Sequence, residues 1–313
     1  MTGAEKCKRI MNEINKVIIG KEAIIKNVLA AIIAEGHVLL EDIPGVGKTT
    51  LAMTFSKAMS LTYSRMQFTP DVMPSDVTGF SIYNRETGSF EYKEGVIMSN
   101  FFLADEINRT SSKTQSALLE AMEEKKVTVD GNTYELKKPF IVMATQNPIG
   151  SIGTSMLPES QLDRFMMRLS MGYPDGVSEI RMLKSKEGNE DIISSVNSVV
   201  TMNEVIDIQN EVAEVYVHDD IYSYIVSIVN VTRKNDNILL GVSPRGTIAI
   251  VNAAKAMAYI SGRNYVIPDD VKAIINPVIN HRIILSGKAR AAHTSVEQII
   301  SSILGSVAIA VKK

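Results

Sequence analysis

The chain has 313 residues, of which 45% are hydrophobic and 22% are charged, and its formal net charge is −2. This length favours two domains over a single core, and the composition is that of an ordinary globular protein. The nearly balanced charge excludes a protein that is basic overall, as nucleic-acid-binding proteins often are. The single cysteine, Cys7, excludes an internal disulfide framework and predicts a reducing, cytoplasmic location.

The N-terminal stretch predicts two helices that are separated near Gly20. Between residues 24 and 33 the apolar side chains recur at helical spacing, which indicates a core-facing helix rather than the apolar segment of a signal peptide. The sequence contains no run of about 18 apolar residues, so we expect no membrane span. The four histidines and Cys7 show no metal-ligand spacing, and we interpret the histidines as structural.

A glycine-rich loop follows, between a predicted strand at 38–40 and a predicted helix at 50–59. Glycines let backbone N–H groups turn inward, and the next helix directs the positive end of its dipole at the same place. Lys48 would reach the β- and γ-phosphates of a nucleotide, and the Thr49 hydroxyl would bind Mg²⁺. The predicted phosphate cradle consists of Pro44, Gly45, Val46, Gly47, Lys48, Thr49 and Thr50.

The loop departs from the usual phosphate-binding pattern at its first position, where Asp42 replaces a glycine. We expect this change to weaken nucleotide affinity, because the backbone must approach the phosphates without the freedom of glycine. A plain glycine turn is the simpler alternative, but strand, loop, Lys-Thr pair and helix all follow in register. A dinucleotide-binding fingerprint fits less well, because Thr50 stands where its third glycine would be.

The next part of the chain predicts strands that alternate with helices, which indicates a parallel α/β sheet. Strands are predicted at 64–68, 101–104, 140–145 and 168–171, a helix at 112–124, and hairpins at 80–92 and 127–136. After Gly176 the periodicity is helical, with helices predicted at 203–215, 220–232, 244–261 and 269–279 and a terminal helix in 299–311. The predicted fold is α/β, with a parallel-sheet nucleotide-binding domain (1–174) followed by a small all-α lid domain (175–313).

Two carboxylates, Asp105 and Glu106, end the apolar strand at 101–104. The carboxyl ends of parallel strands open onto the crevice where such sheets bind ligands. Asp105 would hold Mg²⁺, through water, and Glu106 would orient and deprotonate the attacking water. Asn147 follows the strand at 140–145, where its amide could bind both that water and the γ-phosphate. The alternatives are a solvated strand end and an Asn-Pro turn.

Two arginines, Arg164 and Arg245, are the remaining candidates. Most arginines form surface ion pairs, and spacing alone does not favour these two over Arg109 or Arg168.

Seven motifs follow one another along the chain: Gly45-Val-Gly-Lys-Thr49, Phe68-Thr-Pro-Asp-Val-Met-Pro-Ser-Asp-Val-Thr-Gly79, Leu103-Ala-Asp-Glu-Ile-Asn-Arg109, Gln115-Ser-Ala-Leu-Leu-Glu-Ala-Met-Glu-Glu124, Ala144-Thr-Gln-Asn-Pro-Ile149, Leu157-Pro-Glu-Ser-Gln-Leu-Asp-Arg-Phe165 and Ser243-Pro-Arg245. Their order, over nearly the whole chain, resembles that of the MoxR family of AAA+ ATPases, in its helix-2-insert group. The resemblance implies that Lys48 and Thr49 belong to Walker A and that Asp105 and Glu106 form Walker B.

The same resemblance implies that Asn147 is sensor 1, that Arg164 is an arginine finger reaching a neighbouring subunit's γ-phosphate, and that Arg245 is sensor 2 on the lid. It implies ATP and Mg²⁺ as ligands, and a ring, expected to be a hexamer, with both hairpins facing its pore. The expected activity is ATP-driven remodelling of protein clients, for which the family suggests proteins with a von Willebrand A-type domain.

Two other functions stay open at this point. One is a nucleotide-dependent binding module without turnover, although the presence of Glu106 and Arg164 argues against it. The other is a DNA-associated motor, because lysines at 125–126 and 137–138 flank the second hairpin. No aromatic platform accompanies these lysines, so a solvated hairpin base is the favoured interpretation and nucleic acid is an unlikely partner.

Overall fold

The computed structural model of the chain describes residues 1–43, 45–147, 157–185 and 192–308. Pro44, part of the predicted cradle, lies outside the described residues. The helices are α1 Gly3–Asn15, α2 Glu22–Ile33, α3 Lys48–Ala58, α4 Pro74–Thr78, α5 Ser112–Glu124, α6 Glu159–Leu162, α7 Gly176–Ser185, α8 Met202–Ala213, α9 Asp219–Lys234, α10 Pro244–Ile260, α11 Pro268–Ile279, α12 Gly287–Ala291 and α13 Val296–Ser306. The strands are β1 Val38–Glu41, β2 Tyr63–Gln67, β3 Gly79–Asn84, β4 Ser89–Glu94, β5 Phe101–Asp105, β6 Lys126–Val129, β7 Asn132–Glu135, β8 Ile141–Gln146, β9 Met167–Leu169, β10 Ile238–Leu240 and β11 Ile284–Leu285.

The predicted parallel sheet is confirmed, with five strands in the order β2-β5-β8-β1-β9. Its central strands β5, β8 and β1 are apolar and buried, as strands covered on both faces must be. The register pairs Ala104 of β5 with Ala144 of β8, and Leu39 of β1 also pairs with Ala144. The residues that follow these three strands therefore emerge side by side at one edge of the sheet.

Apolar cores cover both faces of this sheet. Leu118, Ala121 and Met122 of α5 pack on one face, in a cluster with Phe102 and other buried residues. On the other face α1, α2 and α3 share one continuous cluster with the helices of the C-terminal half. Because α1 and α2 contact α10, the two predicted domains have a common core, and the boundary at 174/175 stays a prediction.

Helix starts in the C-terminal half follow the capping chemistry of the sequence. Thr201 and Glu204 form a capping box at α8, and Ser243 caps α10 in front of Pro244, which occupies the first helical turn. The structure adds one feature to the predicted all-α lid, an antiparallel pair of β10 and β11. These strands have three and two residues, which is too short for a period-two pattern to be recognised in the sequence. None of the described helices is long and apolar enough to cross a membrane.

A buried histidine links the start of β1 to the elements beside it. His37 is buried, its Nδ1 accepts a hydrogen bond from the Val142 amide at 3.0 Å, and its Nε2 lies 3.2 Å from the Met122 carbonyl oxygen. An imidazole that accepts at one nitrogen and donates at the other is neutral. Burial lowers the pKa of His37 to about 4, because the charged form would lose its hydration.

We predict that His37 makes the fold less stable in acid. The unfolded chain binds a proton to this histidine below its ordinary pKa of about 6.5 while the folded chain does not, so stability falls as the pH drops from about 6.5 to about 4. The contribution is about 3 kcal/mol of unfolding free energy across that window. Urea unfolding of the wild type and of His37→Asn at a series of pH values measures it. The difference in unfolding free energy between the two proteins should shrink as the pH falls. A difference that stays constant with pH would contradict a neutral, buried His37.

Candidate functional site

The loop between β1 and α3 has the geometry of an open cradle. Gly45 and Gly47 have φ values of 87° and 92°, in the left-handed region that glycine adopts without strain. A Cβ atom added at Gly45 would meet no protein atom within 4 Å apart from its chain neighbours, so the loop is open on that side of Gly45. Gly47 directly precedes α3, whose first backbone N–H groups are therefore directed at the cradle.

Lys48 is held inward beneath this loop. Its ammonium group is buried and donates a hydrogen bond to the backbone carbonyl oxygen of Asp42 at 2.7 Å. Burial lowers the pKa of Lys48, and the nearby carboxylates of Asp42, Asp105 and Glu106 oppose that shift. The ammonium therefore lies close to the predicted Walker B pair, while Thr49 and Thr50 are half-buried next to it in α3.

The Asp105 carboxylate, at the end of β5, has two protein partners. Its Oδ1 accepts a hydrogen bond from the Thr145 hydroxyl at 2.6 Å, and its Oδ2 lies 2.7 Å from Nη2 of Arg65 on β2. The Thr145 hydroxyl in turn accepts from the Glu106 amide at 2.8 Å. One hydroxyl on β8 thus orients both members of the acidic pair.

Glu106 has an unusual backbone and two side-chain neighbours. It is left-handed, with φ 57° and ψ 47°, although it is not glycine. A non-glycine residue in this conformation costs on the order of 1–3 kcal/mol, and such residues cluster at functional sites. The amide nitrogen of Asn147 donates to Oε1 at 3.1 Å, and Nε of Arg109 lies 2.8 Å from Oε2.

These side chains meet at the edge where β1, β5 and β8 end, and their chemistry fits a triphosphate with a divalent cation. Within the described ranges no three His, Cys, Asp or Glu side chains could hold a metal by themselves. Mg²⁺ does not require such a group, because it is usually bound by one or two carboxylates together with phosphate oxygens and water. The carboxylate of Asp105 and the hydroxyl of Thr49 are suitable oxygen ligands here.

The two predicted functional arginines lie together, but at a different place. Arg164 Nη1 lies 3.1 Å from Oε2 of Glu123, and Nη2 of Arg245 contacts the other oxygen of the same carboxylate. Arg164 Nη1 also donates to the Leu119 carbonyl oxygen at 2.8 Å. Glu123 therefore bridges an arginine of the sheet domain and an arginine of the lid.

This arginine pair is at the opposite end of the sheet from the cradle. Arg164 and Arg245 line a cavity together with Gly36 and His37, which precede β1, whereas Lys48 follows the carboxyl end of β1. The helix α5 begins just after the turn that carries Arg109 and has Glu123 near its other end. Eleven helical steps separate Ser112 from Glu123, or roughly 17 Å at 1.5 Å per residue.

Asp42 has a structural role that the sequence did not suggest. Its buried carboxylate accepts hydrogen bonds from the Ser170 hydroxyl at 3.2 Å, from the Gly172 amide at 3.1 Å and from the Met171 amide. The aspartate in place of the first Walker glycine thus ties the loop to the segment after β9. That segment leads into the lid.

Three residues of the site, Arg65, Thr145 and Arg109, were not predicted to belong to it. Arg109 was a candidate that spacing could not rank, and Arg65 and Thr145 lie inside strands, where a polar residue gives no signal of its function. Arg168, the other unranked arginine, lies 3.2 Å from Glu41 and contacts Asn280 after α11, at the junction with the lid.

Comparisons with known proteins agree with this architecture. Residues 37–167 match the model of the ATPase family associated with various cellular activities (AAA), and residues 230–303 match an AAA lid domain. The chain is 48% identical to YeaC of Bacillus subtilis, a protein of uncharacterised function, over 97% of this chain and 95% of that one. It is 37% identical to the chaperone MoxR1 of Mycobacterium tuberculosis, over 96% of this chain and 82% of the other. A crystal structure of a Cytophaga hutchinsonii protein assigned as an ATPase superposes with a TM-score of 0.91 at 42% identity, covering 99% and 96% of the two chains.

We predict that Asp42→Ala lowers the free energy of unfolding by about 2–3 kcal/mol, because it leaves buried N–H groups without the charged acceptor they now have. Asp42→Asn keeps one acceptor oxygen and should lose about half as much. Urea unfolding at neutral pH measures both changes. Wild-type stability in the alanine variant would show that the carboxylate does not anchor the loop.

Proposed function

Because this chain belongs to the MoxR family of AAA+ ATPases, we propose that it hydrolyses ATP as a chaperone-type remodelling machine that assembles into a ring. The observation that supports this most directly is the separation of two half-sites. Lys48, Asp105 and Glu106 converge at one end of the sheet, and Arg164 and Arg245 are paired at the other. A site built from both halves needs two subunits.

ATP would lie in the cradle with its triphosphate against the backbone of residues 44–50. The ammonium of Lys48 would leave the Asp42 carbonyl oxygen and contact the β- and γ-phosphates. Thr49 and Asp105 would hold Mg²⁺, which neutralises charge on the phosphate oxygens during transfer. Arg65 would then release the oxygen of Asp105 on which it now lies.

Glu106 would accept the proton of the attacking water, and Asn147 would orient that water. The hydrogen bond from the Asn147 amide to Glu106 supports this pairing, since it holds the two groups next to each other. The left-handed residue Glu106 directly follows β5, and its carboxylate lies within hydrogen-bond distance of the Asn147 amide. Arg109 would move from the carboxylate so that Glu106 can act as a base.

Arg164 and Arg245 would complete the pocket of the neighbouring subunit. An arginine finger supplied in this way can raise turnover about 10³- to 10⁵-fold by stabilising transition-state charge. Their common contact with Glu123 supports a joint role. Arg245, expected from the sequence to be sensor 2 on the lid, would thus act together with Arg164 on the neighbouring subunit. Since Arg245 lies in the first turn of α10, a change in the pocket of one subunit would be transmitted to the lid of the next.

The partners of the ring are part of the same proposal. We expect a hexamer, with protein clients that include von Willebrand A-type domains.

The two hairpins carry aromatic residues that could contact such clients. Hairpin β3–β4 exposes Phe80, Tyr83 and Phe90, and its Tyr92 stacks on Tyr134 of hairpin β6–β7 with ring centroids 3.9 Å apart. A cytoplasmic location, where ATP is available, accords with the free, buried Cys7.

The alternative functions receive less support. Lys125 pairs with Glu35, and Lys126 lies 3.7 Å from Glu124. Because these carboxylates partly neutralise the charge of the two lysines, the lysines are less suited to binding DNA phosphates. A nucleotide-dependent module without turnover would not need an amide hydrogen-bonded to the carboxylate of Glu106, as Asn147 is. Phosphate release that increases more than proportionally with protein concentration would favour a hydrolysing assembly over such a module.

We predict that Glu106→Gln keeps ATP binding but lowers turnover about 10²- to 10⁴-fold, the usual contribution of a general base. Fluorescent-nucleotide binding and phosphate release measure the two quantities. Glu86→Gln, in the exposed hairpin turn, is the matched control and should change neither. Undiminished phosphate release by Glu106→Gln would remove this residue from its proposed role.

A further inference from the structure

We propose that Glu123 is a positioning residue that presents Arg164 and Arg245 together to the ATP of the neighbouring subunit. This inference rests on the proposed function and adds a residue to it. Glu123 occupies the penultimate position of α5, and the same helix provides the Leu119 carbonyl oxygen that accepts a hydrogen bond from Arg164.

Electrostatics explains why a carboxylate is needed there. Two guanidinium groups from different parts of the chain repel each other, and both side chains have many rotamers. A shared carboxylate cancels one of the two charges, and it restricts Arg245 by a charge-assisted hydrogen bond and Arg164 by an ion pair. The remaining net charge of +1 is available to an approaching phosphate.

The surroundings leave space for that phosphate. Arg164 and Glu123 line a polar cavity of about 440 Å³ beside α5 and a second one of about 220 Å³ that also contains Arg245. The side chains of Arg164, Glu123 and Arg245 are 31%, 40% and 44% exposed. All three are therefore accessible from the surface that a neighbour would cover.

Glu123 is not what holds the lid against the sheet domain. The lid is held by the shared apolar core and also by Asp163, whose Oδ2 accepts from the Ser243 hydroxyl at 2.8 Å and whose Oδ1 accepts from Nε of buried Arg282 at 2.7 Å. Removal of Glu123 leaves these bonds in place. Since exposed ion pairs contribute little to stability, the loss should affect catalysis more than folding.

The first test compares Glu123→Ala and Glu123→Gln with Glu120→Gln. Glu120 lies one turn earlier on α5 and lines the same cavity, but it has no hydrogen bond or ion pair to the described residues. We expect Glu123→Ala to lower kcat about 10- to 100-fold with little change in KM for ATP, because misplaced groups cost rate rather than binding. Glu123→Gln should lie between alanine and wild type, and Glu120→Gln should match wild type. A wild-type kcat for Glu123→Ala would overturn the proposal.

The second test asks whether Glu123 acts across the subunit boundary. Mixed with Lys48→Ala subunits, which lack a working cradle but keep both arginines, Glu123→Ala subunits should show more turnover than either variant alone. Mixed with Arg164→Ala subunits they should show no gain, because both variants are defective on the same side. A gain in the second mixture would overturn the proposal. A mixture of Lys48→Ala and Arg164→Ala tests the shared site itself, so its failure would instead contradict the proposed function.

Discussion

The parallel pairing of β5 with β8, and of β8 with β1, is the constraint on which the site depends. It brings the end of each strand to the same edge of the sheet, so that residues 39 or more positions apart in the chain come into contact. The Thr145 hydroxyl uses this proximity, because it donates to Asp105 and accepts from the Glu106 amide. A shift of β8 by one residue would turn this side chain to the other face and separate the acidic pair from it.

Charge pairing within the single chain is a second common feature. Arg65 is ion-paired with Asp105, Arg109 is ion-paired with Glu106, and Lys48 donates a hydrogen bond to a backbone carbonyl oxygen. In each contact a cation or carboxylate that we assign to ATP chemistry already has a protein partner. A charge that is removed from water without a partner is costly. If ATP and Mg²⁺ replace these protein partners on binding, each charged group of the site has an opposite charge or a hydrogen-bond acceptor both before and after binding.

The sheet domain and the lid are joined by polar contacts as well as by their shared core. Arg282, almost fully buried, donates to Asp163 and to the carbonyl oxygens of Phe165 and Met166. Asp42 makes the corresponding link on the other side, from the phosphate loop to the segment after β9. If the loop moves when Lys48 leaves the Asp42 carbonyl oxygen for a phosphate, Asp42 would therefore transmit that movement to the segment that connects to the lid.

The sequence by itself determined the sheet, the phosphate loop, the acidic pair and Asn147, because each is encoded locally: apolar strands, glycines at a turn, and polar residues where strands end. It also predicted α8 to α11 and most of α13 from their period and caps, but it predicted no separate helix at α7 or α12. Only the tertiary structure decided which arginine lies where. Arg65 and Arg109 proved to contact the acidic pair, whereas Arg164 and Arg245 meet at Glu123. Long side chains from distant segments pair according to how helices pack on the sheet, and spacing along the chain carries no record of that packing.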